Sequence, residues 1–150
     1  MTKFLLTVHV LAAIVAIGPV TVAASMFPPA ARRAMAAPGD ARATETVRLL
    51  HRICRVYATV GVVVPVFGFA TASSMGVLGD AWLIVSIALT ALAALVLVAL
   101  VLPRQSALLE GSGGSREATV RLAMFTGMFN LLWAAVTVLM IVRPGSTTGA

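Results

Sequence analysis

Charge is the first thing this chain has little of. Of its 150 residues, 11% are Asp, Glu, Lys or Arg against 60% hydrophobic, and the mean hydropathy is +1.03. A water-soluble domain needs a polar surface that this composition does not supply, so a soluble globular fold is excluded. One Cys cannot form an internal disulfide, and the apolar excess excludes intrinsic disorder. Acidic residues number five, and none lies inside a long apolar run. A proton-coupled carrier would lack its usual intramembrane carboxylate. There is also no glycine-rich phosphate loop, no paired carboxylates and no recognisable nucleophile with its base, so enzymatic activity is not expected. Nor do the halves repeat in the inverted fashion of secondary transporters.

What the chain does have is four long apolar stretches. At 1.5 Å per residue, about 20 apolar residues cross roughly 30 Å of hydrocarbon. The stretches at about 4–27, 56–78, 81–102 and 118–142 meet that length. Each is continuously apolar rather than alternating, which favours helices over barrel strands. Pro28-Pro29 is expected to end the first span and Gly79-Asp80 to form the turn between the second and third. Pro103 is expected to stop the third and Pro144 to close the fourth. Gly111-Ser112-Gly113-Gly114-Ser115 reads as a flexible linker. The expectation is a single all-α domain over 1–150, a four-helix transmembrane bundle with loops at 28–55 and 103–117. The third span, without a polar residue except Ser86 and Thr90, is expected to be the most lipid-exposed.

Lys3, the run after it and Val22-Ala23-Ala24 also resemble a cleavable secretory leader. The run is longer than the roughly 7–15 residues typical of such leaders, so the first helix is expected to be retained.

Four spans put the termini and the second loop on one side, with Lys3 and Arg143. Arg32, Arg33, Arg42, Arg48, Arg52, Arg55, Arg104, Arg116 and Arg121 fall on the other. Positive residues stay in the cytoplasm, so both termini are expected outside an inner (plasma) membrane. Basic loops beside anionic lipid also account for the pI of about 11.4. A nucleic-acid partner is not expected, since only Tyr57 stands near the arginines for stacking.

Few side chains suggest chemistry. His9 shares a face of the first helix with Ala12, Ala13 and Ala16, small residues that let a neighbouring backbone approach. It is the candidate cofactor contact, for haem b or a quinone, with a hydrogen bond to Asp80 or Ser86 as the plainer alternative. His51 enters the second helix from the opposite end, so the two histidines cannot share a metal, and no metal site is expected. Arg48, His51, Arg52 and Arg55 recur every three or four residues as a basic stripe, a candidate contact for anionic lipid or a partner, or a topological anchor. Cys54, one turn from His51, reads as a packed thiol. Asn130, mid-way along the fourth helix, should hydrogen-bond to another helix, and Asp80 is a second candidate interhelical polar contact. The Met124, Phe125, Met128, Phe129 and Trp133 stripe around Asn130 reads as packing or as a face for a partner subunit. Pro65, between Gly61 and Gly68, should kink the second helix.

The opening Thr2-Lys3-Phe4-Leu5-Leu6-Thr7-Val8-His9-Val10-Leu11-Ala12-Ala13, the Arg48-Leu49-Leu50-His51-Arg52 entry, Val64-Pro65-Val66-Phe67-Gly68 and Phe129-Asn130-Leu131-Leu132-Trp133 together carry a resemblance. The chain resembles a family of small predicted integral-membrane proteins common in actinobacteria. That likeness spans nearly its whole length, implies a four-helix fold and supplies no catalytic residues. The His9-Val10-Leu11-Ala12-Ala13 phrase is also similar to copper-resistance membrane proteins of the D type, over the first helix alone. The expected role is an accessory or assembly subunit of a larger membrane complex, with a respiratory assembly as the first host considered. The alternatives are a haem- or quinone-binding protein using His9, and a small-solute channel or carrier.

Overall fold

In lipid a broken helix strands carbonyl groups with nothing to bond, so helices persist through residues that would end them in water. The computed structural model describes residues 1–146, and those residues form helices and short turns without a strand. In chain order these are α1 (Thr2–Ala36), α2 (Ala41–Val60), α3 (Val63–Met75), α4 (Ala81–Leu95), a π-helical turn (Val96–Val101), α5 (Leu102–Leu109) and α6 (Arg116–Val142). Four rods, Thr2–Ala36, Ala41–Met75, Ala81–Leu109 and Arg116–Val142, are long and apolar enough to cross a membrane. The chain is an all-α four-helix bundle of a multi-pass membrane protein.

The prolines punctuate less than expected. Pro28 and Pro29 lie inside α1, with Pro28 buried, and the helix continues to Ala36. Residues 28–55 are therefore not a loop: they hold the end of α1, a tight turn and the first turns of α2. Gly39, at φ +94°, makes that turn possible, and the Asp40 carboxylate caps α2 by accepting from the Arg42 and Ala43 amides at 2.9 and 3.2 Å. Pro103 likewise does not stop the third span. It sits in the first turn of α5, where its missing N–H is tolerated, and the strain is taken up just before it. There the Leu102 amide bonds to the Leu97 carbonyl, five residues back, which defines the π-helical turn. Helix thus replaces most of the expected 103–117 loop.

Pro65 acts one turn upstream of itself. Lacking an N–H, it cannot reach the Gly61 carbonyl, which accepts instead from the Val64 amide at 3.1 Å. The rod breaks between α2 and α3 at Gly61–Val62. At its far end Gly76, left-handed at φ 71°, closes α3 three residues before Gly79. Ser115 caps α6 by accepting from the Ala118 amide at 3.1 Å.

Packing is led by α1, which lies along α2 and α3 and also meets α6; α4 and the π-helical turn pack on α6, and α5 packs on α2. The main core joins Val20, Ala24 and Phe27 of α1 to Leu50 and Cys54 of α2, Val96 and Val101 of the π-helical turn, and Leu122 and Phe129 of α6. A smaller cluster of Ala72, Trp82 and Leu83 closes the end that carries the termini. The third span is the most buried of the four, not the most lipid-exposed: 28% of its apolar segment is enclosed, against 11–17% in the others. Its lack of polar residues reflects dispersion packing against α6, the main attraction between helices in lipid.

Candidate functional site

Two polar sites sit at different depths. At the arginine-rich end, α2 carries Val47, Leu50, His51 and Cys54 on one buried face, and α5 meets that face. His51 is thus turned inward at 8% exposure, while Arg48, Arg52 and Arg55 remain outside. The His51 Nδ1–H donates to Gln105 Oε1 at 2.9 Å, and Gln105 Nε2 donates to the Cys54 sulfur at 3.6 Å. Ser106 Oγ lies 3.3 Å from His51 Nε2, and the Phe27 ring stands edge-on to the imidazole, 6.4 Å between centroids. With Gln105 and Cys54 both fully enclosed, every member of this chain has a partner. The sequence reading missed Gln105 and Ser106 because they fell in the expected loop. Their pairing joins a serine hydroxyl to an imidazole across 55 residues.

Outside this buried network an open groove of about 360 Å³ runs along α2, lined by Arg48, His51, Arg52, Arg55, Val56, Thr59 and Leu109. Ser106 is not among its lining residues. The Arg48 guanidinium pairs with Glu45 at 2.7 Å in solvent, a bond of little strength. Neither Arg52 nor Arg55 forms a salt bridge among the described residues. Nearby, Arg104 donates to the Leu100 carbonyl at 2.9 Å and lies over the Phe125 ring, 4.4 Å from its centroid. Phe125 is therefore covered from within the chain and Phe129 is core, whereas Met124 and Met128 of the same stripe are exposed.

The second site lies toward the termini. His9 Nδ1 donates to the Val64 carbonyl at 2.9 Å, so the partner is backbone next to Pro65 rather than Asp80 or Ser86. The ring rests on Gly68: a Cβ there would fall 2.8 Å from His9 Cε1. His9 and His51 join different partners at opposite ends of the bundle and share nothing.

Asp80 hydrogen-bonds locally rather than across helices. Its carboxylate accepts from Trp82 Nε1 at 3.0 Å, two residues along its own chain, because it sits in the turn opening α4, where the indole is the nearest donor. Arg143, the left-handed residue that ends α6 at φ 46°, reaches over the same indole, 5.6 Å from its centroid. Asn130 does bridge helices: Nδ2 donates to Ser25 Oγ of α1 at 3.0 Å. Its Oδ1 is enclosed without a partner, as is the Thr126 hydroxyl one turn away.

Among the described residues no group of three or more His, Cys, Asp or Glu is placed to hold a metal ion. No family model, curated protein or solved structure matches the chain.

Proposed function

We propose that this protein is a non-catalytic accessory or assembly subunit of a larger complex in the plasma membrane, with both termini outside and the arginine-rich end in the cytoplasm. The observation that carries the reading is the seam between α1 and α6 where Asn130 reaches Ser25. Ser25 there is exposed; its hydroxyl donates to the Thr21 carbonyl and accepts from Asn130, which leaves one lone pair for a further donor. Gly18 of α1 and Gly127 of α6 lie along the same seam with nothing within 4 Å of where a Cβ would stand. An exposed hydroxyl beside two glycines suits a further helix that approaches closely and brings a hydrogen-bond donor. Photo-crosslinking residues at Val22 and Leu131, in native membranes, test this. Adducts to another membrane polypeptide, absent when the probe is at the remote Ile141, are expected. Adducts to lipid alone at all three positions overturn the subunit reading.

A second reading rests on His9. Its Nδ1–H is held by the Val64 carbonyl, leaving Nε2 as the free ring nitrogen, the arrangement in which a histidine is oriented as a ligand. Haem or a quinone head group is the cofactor class concerned. A Soret band that shifts with dithionite and is lost in His9→Ala supports this reading; a featureless visible spectrum and no quinone in the lipid extract discard it.

A further inference from the structure

The groove along α2 holds three guanidinium-bearing residues and one carboxylate partner between them. Arg48, Arg52 and Arg55 stand at i, i+4 and i+7, so they share one helix face, and Glu45 engages only Arg48. Two positive charges are left without a counter-ion among the described residues. The inner wall is the His51 ring, whose orientation is held by Gln105 from the next rod. Further along α2 the lining continues through Val56 and Thr59, while Leu109 of the antiparallel α5, past the Gln105 that meets His51, stands at the Arg48 end.

We propose that this groove is a binding site for an anionic phospholipid, its phosphodiester held by Arg52 and Arg55 and the start of an acyl chain lying on the neighbouring Val56. A soluble anion would use the arginines but gain nothing from Val56. Diffuse attraction to a charged surface would use every arginine at this end alike, including Arg42 and Arg116, which lie outside the groove. The reading requires only membrane placement and is independent of any partner subunit.

The test is native mass spectrometry of the detergent-purified full chain, titrated with dioleoylphosphatidylglycerol or dioleoylphosphatidylcholine. Wild type is expected to retain one phosphatidylglycerol well above phosphatidylcholine. Loss of two near-surface charges should weaken that retention about thirtyfold in Arg52→Gln/Arg55→Gln. Arg42→Gln/Arg116→Gln, which removes the same charge at the same end, should leave it within about twofold. Equal losses in the two double variants would overturn the site in favour of diffuse attraction. Equal retention of the two lipids, or full displacement by millimolar inorganic phosphate, would overturn it as well.

Discussion

His9 and Gly68 are fitted to each other across two helices: the imidazole occupies the space where any other residue's Cβ would stand, 2.8 Å from Cε1. Only a glycine lets the ring lie against α3 and reach the Val64 carbonyl. Gly68→Ala should therefore cost about 1–3 kcal/mol through overpacking, read as a lower thermal midpoint in detergent. His9→Ala in the same chain should recover most of that loss. Additive effects in the double variant would show that the contact does not govern the site.

The network at the other end makes a chemical prediction. The Cys54 sulfur is enclosed and accepts from Gln105, so a maleimide should label native protein slowly. Gln105→Ala removes this cover and leaves the His51 Nδ1–H without its acceptor, at about 1–3 kcal/mol. Labelling of Cys54 should accelerate at least tenfold in that variant, and unchanged kinetics would contradict the packing described.

Pro65→Ala restores the missing N–H and should heal the break at Gly61–Val62. Spin labels at the exposed Thr46 and Ser73, in a Cys54→Ser background, report on it. A straight helix would hold those backbones about 40 Å apart. The wild-type distance should be shorter and should lengthen in Pro65→Ala; equal distances would mean that Pro65 does not set the bend.

The proposed orientation is tested from outside the cell. Cysteines at the exposed Arg42 and Arg116 should be shielded from a membrane-impermeant maleimide in intact cells, while one at Met1 should label. The reverse pattern would invert the topology.

Much of the bundle was legible before the structure, because continuous apolar runs need only be counted against bilayer thickness. The misreadings concentrate at prolines. Pro28, Pro29 and Pro103 stop helices in water, but here α1 continues through the first two and a π-helical turn absorbs the third. Treating Pro103 as a terminus hid Gln105 and Ser106, and with them the partners of His51. His9 went to the wrong partner for another reason: its acceptor is a main-chain carbonyl, which no inventory of side chains displays. Asn130 announced its need for a neighbouring helix, but the register that brings Ser25 opposite depends on helix pairing and cannot be read from either segment alone.

The π-helical turn bears directly on that buried network. Five-residue spacing at Leu97–Leu102 accommodates one residue more than a regular turn. A single residue advances an α-helix by about 100°. The surplus residue thus works as a dial that aims the whole of α5: excising it, for instance by deleting Val98, would swing Gln105 about a quarter of a revolution away from His51 and leave the imidazole facing a different side of the rod.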